Sequence, residues 1–124
     1  PIYVFGNDWP THDGTPIRDY IHVCDLAEAH VLSVDYIMKE DFDCETINLG
    51  TGRGYSVLEM IKAFEKACGK TINYQITERR PGDVAEVYAD ASRAKLLLKW
   101  TAKKNLDEMC NDSWTFVQKN LSSS

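Results

Sequence analysis

The sequence predicts a small α/β domain with about four helices, and three observations carry that prediction. Short β-type runs alternate with helical stripes, Gly/Pro/Asn/Asp clusters punctuate them, and 124 residues suffice for one domain with one modest core. Apolar residues make up 44% and charged residues 27%, a globular balance that excludes general disorder. With 19 acidic against 14 basic side chains the net charge is −5, so the chain as a whole repels nucleic acid and anionic membranes. Any polyanion would have to be met by a local site.

The first strand is Ile2 to Phe5, stopped by the turn cluster Gly6-Asn7-Asp8. Gly6 to Pro16 is a loop, and Asp19 to Val23 an extended or strand segment leading into a helix that Asp25 is expected to cap. In that helix Ala27, Val31, Val34 and Met38 recur at spacings of 4, 3 and 4, which predicts the buried stripe. Thr46 to Leu49 reads as a short strand ending in the turn Gly50-Thr51-Gly52-Arg53-Gly54. Ser56-Val57-Leu58-Glu59 is a capping box, Val57, Ile61, Phe64 and Cys68 repeat the 4, 3, 4 spacing, and Gly69 stops the helix. Ile72 to Thr77 alternates with period two and predicts a strand with one wet face. Arg79 to Asp83 is a charged turn, Val84 to Tyr88 a short extended piece, and Asp90 or Ser92 opens a helix through Leu98. The last helix starts near Asn105, with Glu108 completing its cap and Leu106, Met109, Cys110, Phe116 and Val117 inward.

Cys24, Cys44, Cys68 and Cys110 form no Cys-x-x-Cys pair and no Cys/His spacing suited to zinc, so they read as reduced thiols of a cytoplasmic protein. No apolar run approaches the about 18 residues of a membrane span. Pro1 opens inside a strand-like run and Ser122-Ser123-Ser124 closes the chain, so residues 1–121 are expected to be part of a longer protein and 122–124 a serine tail.

A strand, glycine turn and helix can hold a dinucleotide pyrophosphate, but Gly50-x-Gly52-x-Gly54 places Tyr55 where the third glycine of Gly-x-Gly-x-x-Gly belongs. The turn is therefore read as structural, although Glu78 stands where a ribose-binding acid would. No tyrosine precedes a lysine by four places: Tyr3, Tyr20, Tyr36, Tyr55, Tyr74 and Tyr88 lead to Asn7, Cys24, Glu40, Glu59, Glu78 and Ser92. His12, His22 and His30 lie near no nucleophile elbow, and each is read as structural.

The ordered segments Phe5-Gly6-Asn7-Asp8-Trp9-Pro10-Thr11, Arg18-Asp19-Tyr20-Ile21-His22-Val23, Asn48-Leu49-Gly50-Thr51-Gly52, Arg80-Pro81-Gly82-Asp83 and Leu106-Asp107-Glu108-Met109 resemble the C-terminal region of the UDP-glucose 4-epimerase family. These enzymes are extended short-chain dehydrogenases/reductases. The resemblance implies the substrate-binding portion of a Rossmann-type enzyme, with a small mixed sheet and without the NAD-binding core. NAD, the catalytic tyrosine and lysine and the assisting Ser/Thr would belong to an N-terminal domain that this chain lacks, and the fragment alone would be inactive.

Position by position, Arg18 and Arg80 resemble the arginines that clamp the UDP diphosphate, and Asp83 the carboxylate that accepts from the ribose hydroxyls. Phe5 resembles an aromatic beside the nucleotide, Tyr20 a position near the clamp, and Val57 an apolar contact on the uridine side. Arg79 is expected to remain a surface charge. Val87 resembles the gate beside the hexose, where a small residue leaves room for an N-acetyl group. The implied partners are a UDP-hexose, the N-terminal domain and a second subunit of a homodimer. The helix from Asp25 and Thr46 to Leu49 would pack on that N-terminal domain, leaving apolar surface and self-association in the isolated chain. Another sugar-nucleotide dehydratase or decarboxylase, or a standalone UDP-binding module, is the competing reading.

Overall fold

The computed structural model describes residues 2–39 and 44–122. Chain order is β1 (Ile2–Phe5), β2 (Ile17–Arg18), α1 (Val23–Lys39), β3 (Tyr55–Ser56), α2 (Val57–Cys68), β4 (Tyr74–Thr77), β5 (Glu86–Val87), α3 (Ser92–Leu98) and α4 (Leu106–Ser122). The strands form two small sheets. β1 and β4 pair in parallel, Ile2 opposite Tyr74 and Phe5 opposite Thr77. β2 is central in a mixed sheet, antiparallel to β3 and parallel to β5, with Arg18 opposite both Tyr55 and Val87. The mixed sheet was expected; its separation from the β1–β4 pair was not.

Helix α2 forms as its sequence dictates. Ser56 accepts from the Glu59 N–H, the Glu59 carboxylate accepts from the Ser56 N–H, and Gly69 closes the helix at φ 69°. Asn105 and Glu108 exchange the same reciprocal bonds at the start of α4. α3 opens at Ser92 behind Ala91 with no side-chain cap, while the Asp90 carboxylate accepts from the Ser92 N–H.

Helix α1 departs from expectation in two ways. It starts at Val23, where His22 Nδ1 accepts from the Cys24 N–H. Asp25 is buried and does not cap: its carboxylate accepts from the backbone of Lys103 and Lys104, and its carbonyl accepts from the Trp100 indole. The buried face follows Asp25, Ala29, Leu32 and Tyr36, while Val31, Val34 and Met38 stand 63%, 59% and 80% exposed. Both sets share the 4, 3, 4 spacing and differ by two positions, roughly 200° around the axis at about 100° per residue. Periodicity alone could not choose between them. The close approach of Ala29 to Ala94 on α3 does, within a core of Ala29, Ala94, Leu98 and Trp100.

Thr46 to Leu49 enters no ladder among the described residues, though Ile47 and Leu49 do turn inward against that core. Extended pairing after β2 also stops at Arg18, short of the expected Asp19 to Val23. In β4 Tyr74 and Ile76 are each 44% exposed and Gln75 is exposed with them, so the expected dry face is not seen. On α4, Leu106 and Cys110 are buried against α2, but Phe116 is 69% exposed and Val117 is also exposed. The reason is length: α2 has 12 residues and α4 has 17, so the last turns of α4 overhang their partner. Trp114 is set edge-on against Phe64, with ring centroids 6.5 Å apart. Ser122 ends α4, and the remaining two residues of the expected serine tail lie outside the described residues.

Candidate functional site

Six of the seven residues singled out in the sequence line one hollow of about 160 Å³: Phe5, Arg18, Tyr20, Val57, Arg80 and Asp83. They come from four parts of the chain. Phe5 ends β1, Arg18 ends β2, Tyr20 follows it, Val57 is the first residue of α2, and Arg80 and Asp83 flank the turn after β4. The Val57 N–H donates to the Pro16 carbonyl at 3.0 Å, which ties the start of α2 to the entry of β2. Tyr3 and Pro16 complete the lining, and sequence reasoning missed both. A signal for Tyr3 existed, since residues i and i+2 of a strand share a face and Phe5 was already chosen.

The hollow sets two guanidinium groups beside one carboxylate, two phenols and the Phe5 ring. Arg80 donates to Asp83 through Nε and Nη2, at 3.0 to 3.2 Å, and lies 4.9 Å from the Phe5 ring centroid. Arg18 donates to its own Ile17 carbonyl at 2.8 Å. Burial pushes the Tyr20 phenol above its ordinary value, the Arg18 charge opposing, so it stays neutral and can both donate and accept near pH 7. Planar guanidinium forks suit phosphate oxygens, and a carboxylate beside them accepts from hydroxyls. At about 160 Å³ the hollow is smaller than the about 300–1,000 Å³ of sites that enclose a small molecule. A wider depression of about 450 Å³ between α2 and α4 mixes Arg53, Lys62 and Lys66 with Glu59 and Asp107 and lacks such convergence.

Val87 does not line this hollow. It is half exposed on β5, opposite Arg18 in the register. Arg79 is more than a surface charge: it donates to the carboxylate and the carbonyl of Asp8 and stacks on Trp9 at 4.1 Å.

The glycine turn after Leu49 is filled from within. Asp19 accepts from the N–H groups of Thr51, Gly52 and Ala89 and from the Thr51 hydroxyl, at 2.7 to 3.3 Å. A Cβ on Gly50 would lie 2.6 Å from the Asp19 carboxylate and 2.7 Å from Ala89 Cβ. Amides that might face a pyrophosphate are thus spent on Asp19, and the turn does not fit a dinucleotide. His12, Asp13 and Glu59 bring donor atoms within 4.8 Å of one another, a cluster the sequence did not flag. Asp13 also accepts from the Ser56 hydroxyl and from Thr15, so the cluster fastens the loop to the start of α2.

A family model described as GDP-mannose 4,6 dehydratase matches residues 2–113. The chain belongs to that family of extended short-chain dehydrogenases/reductases. UDP-glucose 4-epimerase of Bacillus subtilis is 54% identical over 120 residues, 97% of this chain and 35% of the relative. The crystal structure of the Stenotrophomonas maltophila epimerase with bound NAD and formylated UDP-arabinopyranose superposes with a TM-score of 0.92 at 46% identity, covering 99% of this chain and 36% of that one. The Bifidobacterium longum epimerase in complex with NAD+ and UDP gives 0.84 at 51% identity, covering 95% and 35%. The chain therefore spans about a third of the length of these family members, matching their C-terminal part. Among the described residues no helix is long and apolar enough to cross a membrane.

Proposed function

We propose that this chain is the substrate-binding part of a UDP-hexose 4-epimerase, which interconverts UDP-galactose and UDP-glucose in the longer, homodimeric protein. The convergence of Arg18, Arg80, Tyr20, Phe5, Val57 and Asp83 on one hollow is the observation that carries this reading. Arg18 and Arg80 hold the diphosphate, Asp83 accepts from the ribose hydroxyls, and Phe5 and Val57 flank the uridine. On binding, Arg80 exchanges one carboxylate oxygen for a phosphate oxygen, releasing Asp83 toward the ribose. NAD, held outside this chain, supplies the hydride chemistry at C4 of the hexose. Anchoring the non-reacting UDP lets the sugar turn while the rest of the substrate stays fixed. Identity near one half to named epimerases favours this reading over a dehydratase or decarboxylase.

Titration of UDP against the chain and its Arg80→Ala variant tests the clamp. Losing a charge-assisted phosphate contact should weaken binding by about tenfold to a hundredfold. Equal affinities would overturn the assignment. The chain alone, given NAD and UDP-galactose, should form no UDP-glucose, and turnover would refute the proposed division of labour. Val87 lies outside this hollow, but it is small at the position that the resemblance gives to the hexose gate, so the longer enzyme should also accept UDP-N-acetylgalactosamine; normal UDP-galactose kinetics with no N-acetyl turnover would exclude that.

A further inference from the structure

Two adjacent arginines rest on two different rings, and the rings are themselves joined. Arg80 lies over Phe5 and Arg79 over Trp9, with 4.9 and 4.1 Å from guanidinium to ring centroid. The Trp9 indole N–H donates to the Phe5 carbonyl at 3.0 Å. Asp8 closes the far side of Arg79, its carboxylate accepting from Nε at 3.0 Å and its carbonyl from Nη2 at 2.8 Å. The contacts thus run in a closed circuit from Phe5 to Trp9, to Arg79, through the peptide to Arg80 and back to the Phe5 ring. Gly6 permits it: at φ 99° a Cβ would sit 2.6 Å from Trp9 Nε1 and 2.9 Å from Arg79 Cγ. Trp9 is largely buried although it stands in the loop between β1 and β2.

From this circuit we infer that Trp9 and Arg79 are positioning residues for the phosphate clamp. They touch no ligand in this role. They fix the backbone on which Arg80 stands and the ring on which its guanidinium lies, so less side-chain freedom is lost when phosphate binds. The inference rests on Arg80 being a phosphate ligand, as proposed above, and the test separates the two.

Affinities for UDP and for uridine, the same nucleoside without phosphates, are measured on the full chain and on the Arg79→Lys, Trp9→Leu and Arg80→Ala variants. Arg79→Lys keeps the charge and Trp9→Leu changes none, so a simple loss of positive potential is not what either reads. Both should lower the ratio of UDP to uridine affinity by roughly tenfold, the scale of coupling between residues in contact. A change that merely reduces the folded fraction lowers both affinities equally and leaves the ratio alone. An unchanged ratio in Arg79→Lys overturns the inference; should Trp9→Leu fail to fold, Arg79→Lys and Asp8→Asn carry the test by themselves. An unchanged ratio in Arg80→Ala overturns the clamp itself, and the positioning role with it.

Discussion

Replacing Ser56 with alanine should destabilise the chain by about 2–3 kcal/mol. Ser56 is fully buried and its hydroxyl does two things: it accepts from the Glu59 N–H at 3.1 Å and donates to the Asp13 carboxylate. Loss of the helix cap costs about 1 kcal/mol. Loss of the Asp13 contact strips a donor from a carboxylate whose side chain is only 23% exposed, worth about 1–2 kcal/mol after allowing for partial access by water. Against a total stability of about 5–15 kcal/mol this is large, and it should lower the melting temperature by roughly 8–12 °C. Urea unfolding followed by far-UV circular dichroism gives the value directly. Asp13→Ala and the double variant complete a cycle, in which a coupling above about 0.5 kcal/mol is expected for groups in contact. A loss under about 0.5 kcal/mol for Ser56→Ala, or strict additivity with Asp13→Ala, would refute the assigned double role. UDP affinity should fall too, because the same turn seats Val57 in the hollow.

Three further outcomes follow from particular contacts. Burial raises the Asp13 carboxyl, but hydrogen bonds from Ser56 and Thr15 and the nearby His12 outweigh it and hold it below its ordinary value. The unfolded chain then binds this proton more readily, so stability is complete above about pH 4 and is lost as pH falls through the lowered value; Asp13→Asn should flatten that acid limb in urea titrations. Gly50→Ala should cost about 1–3 kcal/mol, because its Cβ would wedge Asp19 from Ala89; a stability equal to wild type in calorimetry would contradict the tight turn. The exposed stripe Val31, Val34 and Met38 should make the isolated chain self-associate in sedimentation velocity, with Val34→Glu shifting it toward monomer; a monomeric parent chain would count against this.

The structure separates what was legible from what was not along a physical line. The Ser56–Glu59 and Asn105–Glu108 boxes and the Gly69 stop were readable because each involves groups within a few residues, whose geometry the helix itself sets. The candidate site residues came from resemblance to a family, and six of them line one hollow. Tyr3 went unnoticed although it shares a face with Phe5, and Arg79 was left to solvent because its partners, Asp8 and Trp9, are about seventy positions away. Asp25 illustrates the same limit. Its position before an apolar stripe promised a cap, but Lys103 and Lys104, brought back by the chain after α3, claim its carboxylate.

By itself the sequence determined the presence of the four helices, both ends of α2, the glycine turn at Gly50 to Gly54 and the family. Tertiary structure decided which of two equally spaced stripes on α1 is buried, which carboxylates serve which amides, and that Arg79 meets Asp8 and Trp9. Local geometry repeats every 3.6 residues whatever surrounds it, whereas burial and charge pairing depend on which distant segment arrives opposite, and only the folded chain specifies that.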